Sequence, residues 1–316
     1  MLENQLSRYG AIVKALPLTS PGAKVFFLAP SGAAWYGDFQ HEFPADKQGF
    51  ARVHTTIASV IANAGLVASR GDVVVALPGY TETLTAVASL SIAGVSWIGI
   101  GEGLLKPTIT VNAATHGIAL AANNVTFDNF HFAAPATDAA LSMIHIDDNC
   151  TGVTVRNITG IGSTAALNFV NCIAIGSGAN DHKLENIALT THRSLGVVNF
   201  LNFEGPVSRS TIGGFYAVGT VTTAGISDAT GAVIKYAIWN DIRVAVGGAT
   251  VNACTINATG AGGAMGMVTN SHFFGNGTTL ASIASFVGDW RLSQVYLNEE
   301  TSNAAQGALI PAADSD

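Results

Sequence analysis

A short segment recurs in this sequence at intervals of 25 to 30 residues, and that period restricts the chain to architectures built by stacking one small unit. Val125-Thr126-Phe127-Asp128-Asn129-Phe130-His131-Phe132 returns as Val153-Thr154-Val155-Arg156-Asn157-Ile158 and again as Lys183-Leu184-Glu185-Asn186-Ile187-Ala188-Leu189. Each copy reads as a strand, an Asn and a second strand. Fainter copies place Thr211 before Ile212, Asp241 before Ile242 and Ser271 before His272, giving spacings from Asn129 onward of 28, 29, 25, 30 and 30. A second series keeps the same phase: Gly117-Ile118-Ala119-Leu120, Met143-Ile144-His145-Ile146, Cys172-Ile173-Ala174-Ile175 and Gly196-Val197-Val198-Asn199-Phe200. About three strands therefore fall in each period.

A unit this short cannot bury its apolar face alone. Stacked at about 4.8 Å, successive units satisfy one another's backbone and build a continuous apolar column. Hairpin signals are missing, since the one Asn-Gly pair, Asn276-Gly277, is followed by Thr-Thr and not by a return strand. The expected fold is all-β, a right-handed parallel β-helix. Asn129, Asn157 and Asn186 are expected to form a structural ladder, because Asn tolerates a left-handed bend and can bond to its stacked equivalent. Val125, Phe127, Val153, Val155, Leu184, Ile187 and Ile242 should face inward. The expected divisions are an N-terminal arm at 1–22, a capping strand, loop and helix at 23–70, the β-helix at 71–300 and a C-terminal tail at 301–316. Within the cap, Val25-Phe26-Phe27-Leu28 reads as a strand. Val53, Ile57, Val60, Ile61 and Ala64 fall at helical spacing, which predicts one helix over 52–65.

Composition narrows the function. Charged residues are 11% of the chain against about 25% in an ordinary soluble domain. Mean hydropathy is +0.38, yet no apolar run reaches the ~18 to 20 residues of a membrane helix, so no membrane partner is expected. The net charge of −7, with 14 Lys and Arg and no basic cluster, argues against nucleic acid. Cys150, Cys172 and Cys254 show no metal-ligand spacing and read as buried free thiols. The opening residues lack the basic-then-apolar pattern of an export signal, which predicts synthesis in the cytoplasm.

Gly71-Asp72-Val73-Val74-Val75-Ala76-Leu77-Pro78-Gly79-Tyr80-Thr81-Glu82, with Ser91-Ile92-Ala93-Gly94-Val95-Ser96-Trp97-Ile98-Gly99-Ile100-Gly101, resembles the first coils of pectin-lyase-like β-helix proteins. Together with Lys106-Pro107-Thr108-Ile109-Thr110 and Ala121-Ala122-Asn123-Asn124-Val125-Thr126-Phe127, this opening is similar to a group of β-helix virion proteins of tailed bacteriophages. The resemblance covers residues 24 to 160 and continues beyond them only as a period. It implies a structural virion component, such as a capsid decoration (cement) protein that forms a homotrimer. Its partners would be the major capsid protein or other virion proteins, reached through residues 1–22 and 301–316, and its location the virion.

Catalysis was weighed against this. A β-helix hydrolase needs two or three carboxylates about 5 to 9 Å apart on one face. Asp147 and Asp148, with His145 nearby, are the best candidates. Their stacked equivalents read as Ala121 and Ala122 on one side and Ser177 and Gly178 on the other, which leaves no third carboxylate from adjacent coils. Neither a Gly-His-Gly nor an Arg-Ile-Lys occurs; Asp241-Ile242-Arg243 comes nearest. No calcium-binding acid cluster with an accompanying base is visible. Gly99-Ile100-Gly101-Glu102-Gly103 reads as a turn, not a nucleotide fingerprint. His131 and His272 read as core or face residues. The expectation is no catalytic residue, no metal and no cofactor. The alternative is a tail spike or fibre that binds or depolymerises host polysaccharide, which would need an exposed aromatic strip; Trp35, Tyr36, Trp239 and Trp290 are too scattered in sequence to indicate one.

Overall fold

The computed structural model describes residues 20, 22–30, 32–34, 36–62, 65–137, 140–192, 196–229, 231–247, 252–256, 264–275, 283–299 and 306–308. Nearly all of the expected arm, most of the tail and Trp35 lie outside them. Within them, 23 strands join one hydrogen-bonded system, and apart from the final strand the pairings are parallel. The chain is a right-handed parallel β-helix with three faces, as the period requires.

The first face carries Val73–Ala76, Ser96–Gly99, Thr126–Asp128 and Thr154–Arg156. The second carries Thr108–Val111, His131–Phe132 and Thr159–Ile161. The third carries His116–Leu120, Ala140–Ile146, Phe169–Ile175 and Val197–Phe203. In later coils the first two faces fuse into single bent strands such as Lys183–Thr190 and Ala237–Gly247, because one left-handed residue suffices to turn the elbow between them.

Register explains the core. Along the first face, Phe26, Val74, Trp97, Phe127, Val155, Leu184, Ile212, Trp239 and Val268 stack in consecutive rungs, and all are buried. All seven residues expected to face inward are fully buried. The three cysteines are free and buried as well.

The elbow ladder is longer than the sequence period indicates. Asn129, Asn157, Asn186, Gly214, Asp241, Asn270 and Gln294 all have φ between 49° and 65° and succeed one another in register. Two expected rungs are thus corrected: Gly214 takes the place assigned to Thr211, and Asn270 that assigned to Ser271. The reason is the left-handed backbone, which Gly and Asn accept and a β-branched Thr resists. In the second series Leu201, not Val197, stacks on Ile173, so the fourth copy sits four residues later than expected.

The cap also differs from expectation. The helix spans only Ile57–Ile61, because Val53–His54 pairs as a strand with Val25–Leu28. Thr56 caps it by accepting from Ser59 N (3.1 Å), and Glu82 Oε2 accepts from Ile57 N (3.0 Å). A second helix, Tyr36–Glu42, lies where a loop was expected. Its Phe39 packs with Val25, Phe27, Val73 and Val75 in a small core on the outer side of the first coils. At the other end, Gln306–Ala308 pairs antiparallel with Tyr296–Asn298 and covers the last edge.

Phe127 is buried at 0% exposure and stacks on Phe130 at 4.3 Å between centroids. Phe127→Ala should therefore lower unfolding free energy by about 3–5 kcal/mol in urea titration. A loss below about 1 kcal/mol would show that the column is not continuous at this rung.

Candidate functional site

Three outward features gather the polar and aromatic chemistry of the described chain. The first lies on the third face. His145 stands on Ala140–Ile146 between inward Ile144 and Ile146, and its imidazole is clasped at both nitrogens: Nδ1–H donates to Asp147 Oδ1 (2.7 Å) and Nε2–H to Glu204 Oε2 (3.1 Å). Burial opposes its charge, but the two carboxylates outweigh burial and raise its pKa to about 9. His145 in turn holds the Glu204 carboxyl below its usual range. His116 lies flat on His145, with centroids 4.2 Å apart and planes 9° from parallel, and its Nδ1 bonds the buried Ser142 Oγ (2.8 Å). Burial, then the charge of His145, lowers the His116 pKa.

This corrects one expected stacking neighbour of Asp147. Asp147 does stack on Ala121, but on the other side its neighbour is Gly176, not Ser177, and a third acid arrives from two coils away. Ala174 and Gly176, small residues in the intervening coil, separate His145 from Glu204. A Cβ at Gly176 would come 2.4 Å from Asp148 Oδ1. Asp148 is spent on the backbone, accepting from Ser177 N (2.7 Å). With both nitrogens bonded to carboxylates, His145 ties coils together.

The second feature is a groove in the elbow between the first and second faces. It opens to about 650 Å³ between Gly99, Glu102, Lys106, Asp128, Asn129, Asn157, Thr159 and Asn186. A further 410 Å³ continues past Leu104, Thr108 and His131. The ladder amides form its floor: Asn129 Nδ2 donates to Gly99 O (2.9 Å), Asn157 Nδ2 to Asp128 Oδ1 (2.7 Å) and Asn186 Nδ2 to Asn157 Oδ1 (3.2 Å). Arg156 Nε donates to Asp128 Oδ2 (2.9 Å). Lys106 Nζ crosses the coil of Asn129 to reach the Asn157 carbonyl (2.7 Å), and burial lowers its pKa. His131 Nδ1 bonds Thr159 Oγ1 (2.9 Å); burial first, then Lys106, lowers its pKa.

The third feature occupies the later coils. Tyr216, Arg243, His272 and Tyr296 stack in consecutive rungs of the second face, and Val218, Ala245 and Phe274 run beside them. Arg243 lies over the Tyr216 ring at 5.4 Å, and His272 packs on Tyr296 at 5.1 Å. Across the elbow, Ile238 and Met267 are adjacent and exposed. An outward aromatic strip therefore exists, contrary to the sequence expectation. It is built from Tyr, His and Phe, while Trp239 and Trp290 point into the core.

His131 and His272 are both outward-face residues. Among the described residues no group of three or more His, Cys, Asp or Glu is arranged to hold a metal ion, and no helix is long and apolar enough to cross a membrane. The architecture is a right-handed parallel β-helix. No family model and no curated protein matches the chain. A solved rhamnogalacturonan lyase is similar over 92% of this chain and 90% of its own, at 10% identity and a TM-score of 0.42. That likeness assigns no residue and no activity.

The clasp has a pH signature. The His145 contribution is complete below its ordinary pKa of 6.5 and is lost as pH rises through about 9. The Glu204 contribution is complete above its ordinary 4.5 and is lost as pH falls through its lowered value. His145→Gln should cost about 1–2 kcal/mol between pH 4.5 and 6.5, because the carboxylates are partly exposed, and progressively less toward pH 9. Unfolding curves of both proteins across this range test it; a difference that does not change with pH would rule out the charged clasp.

Proposed function

We propose that this chain is a non-catalytic structural component of a tailed-phage virion, most simply a capsid decoration or cement protein that acts as a homotrimer. The observation that carries the proposal is the apolar facet of the later coils. Val218 and Ile238 are 53% and 52% exposed, and Tyr216, Met267 and Tyr296 extend the patch across neighbouring rungs. A stable monomer has little reason to keep such a surface in water, and its Tyr and Arg content is that of a protein interface core. The β-helix is closed to edge pairing at the end that Gln306–Ala308 covers, so lateral contact between copies is the natural mode of association. The resemblance of residues 24 to 160 to phage virion proteins supports the same reading. In it, residues 1–22 and 301–316 reach the capsid.

A second reading, a tail spike or fibre that binds or cleaves host polysaccharide, is favoured by the outward row of Tyr216, His272 and Tyr296, because sugar rings pack on such rows. Oligomeric state separates the uses of the facet. Light scattering should give three times the chain mass for the intact protein, and Val218→Asp with Ile238→Asp should give a folded monomer. A monomeric intact protein at all concentrations would remove the trimer.

Attachment is tested separately. Protein lacking residues 1–22 should remain folded but no longer co-sediment with heads that lack it. Full binding by the truncated form, together with loss of a glycan-cleaving activity on Asp147→Asn and Asp148→Asn, would replace the structural reading with a depolymerase.

A further inference from the structure

We propose that the corner at His182 is an acid-operated hinge: protonation of this one buried imidazole opens the coil where the polar groove ends and the apolar facet begins. The hinge goes beyond the assembly role, and its test does not depend on that role.

A second left-handed corner, distinct from the elbow, leads into the first face. Gly94, Asn124, Gly152, Asp181, Arg209 and Tyr236 hold it, with φ between 55° and 72°. Each stands two positions before Ser96, Thr126, Thr154, Lys183, Thr211 and Ile238, which succeed one another in register. Gly and Asn take up this conformation readily, whereas Arg and Tyr do so only under strain. His182 therefore stands where a relaxed corner gives way to a strained one.

The His182 ring faces inward and is fully buried. It precedes Lys183, which stacks between Thr154 and Thr211, so its rung neighbours are Val153 and Ser210, both fully buried. Phe203, on the third face, lies 6.2 Å away between ring centroids. Nδ1–H donates to Ala179 O (2.9 Å), and Nε2 has no hydrogen-bond partner among the described residues. The neutral ring fits this setting. A proton on Nε2 would create a buried donor with no acceptor and place a positive charge in the apolar column.

The surrounding charges give little relief. Asp181 favours the imidazolium, but both of its carboxylate oxygens are engaged by Arg209 on the next rung. Lys183 and Arg209 are exposed, Glu204 is bonded to His145, and burial raises the pKa of the Cys150 thiol on the preceding rung and keeps it neutral. Burial thus dominates and lowers the His182 pKa from 6.5 to about 4. The contribution of the neutral ring is complete above pH 6.5 and is lost as pH falls toward about 4, because the opened coil takes up a proton that the closed coil refuses. Between pH 6.5 and 4.5 the clasp is complete and changes nothing.

Hydrogen exchange of the intact protein at pH 6.5 and 4.5, corrected for the intrinsic rate at each pH, tests this on two first-face strands three rungs apart, Ser96–Gly99 and Lys183–Thr190. His54, His116 and His131, which burial also lowers, belong to the earlier coils, so Ser96–Gly99 reports their effect. An opening that takes up one proton gains up to about tenfold per pH unit. Protection of Lys183–Thr190 should therefore fall at least tenfold at pH 4.5, and protection of Ser96–Gly99 less than threefold. In His182→Leu the fall at Lys183–Thr190 should disappear. His182→Gln, which stays polar and does not titrate, should behave in the same way, and the comparison of the two strands in the unaltered protein stands without either variant. A fall of equal size in both strands, no fall at Lys183–Thr190, or an unchanged fall in a folded variant would each overturn the proposal.

Discussion

The left-handed residue at the elbow is the constraint on which the rest of the structure depends. Each coil must bend outward there without losing its hydrogen bonds to the coils above and below, and a single residue with φ near 55° does this. Because that residue lies at the same place in seven successive rungs, it fixes the register of both adjoining faces. A slip of one position would turn Phe127, Val155 and Leu184 outward and put Asp128, Arg156 and Glu185 into the column. The Asn amides add side-chain hydrogen bonds between rungs, but their conformational tolerance comes first. Gly214, with no side chain, holds its rung as well as its neighbours do.

From this register follows the asymmetry of the outer surface. Residues that flank the elbow point outward in fixed columns, so their chemistry accumulates along the axis. In the earlier coils the columns contain Lys106, Asp128, His131, Asn157 and Thr159, and a polar groove results. In the later coils the column of His131 and Thr159 continues as Tyr216, Arg243, His272 and Tyr296, with Ile238 and Met267 exposed across the elbow, and the groove gives way to an apolar, aromatic facet. One folding rule thus produces two surfaces of opposite character, divided along the length of a single solenoid.

How much of this can be read in the sequence depends on the distance over which a feature is encoded. The period, the inward residues and the ladder members Asn129, Asn157 and Asn186 are legible because each is a local pattern repeated with little change. The rung at Gly214 is not, because Gly removes the Asn that marks the others and Thr211 offers a false match three residues away. The helix over 52–65 fails for a related reason: Val53 has helical spacing to Ile57, but its apolar side chain is claimed by pairing with Phe27. Tyr36–Glu42 is hidden by its shortness and is held by burying Phe39 rather than by a long amphipathic pattern. The aromatic strip could be found only once the register was known, since its members lie 24 to 29 residues apart, and Trp97, Trp239 and Trp290, the aromatics most visible in the sequence, are spent on the core.

The clasp on the third face shows the limit most clearly. His145 and Asp147 are two residues apart and could be paired by inspection, but Glu204 is 59 residues from His145 and reaches it across an intervening coil. The contact depends on Ala174 and Gly176 being small, which is a property of residues that take no part in the bond. His116 depends likewise on a diagonal stack between neighbouring rungs, beside the buried series Ser142, Asn171 and Asn199, where Asn199 Nδ2 donates to Asn171 Oδ1 (2.9 Å). What looks in sequence like a catalytic acid pair, Asp147 and Asp148, becomes in three dimensions one carboxylate bound to an imidazolium and one bound to a backbone amide. The chemistry available to a carboxylate in a solenoid is therefore set by the coils beside it. On this face those coils have directed it to holding the stack together.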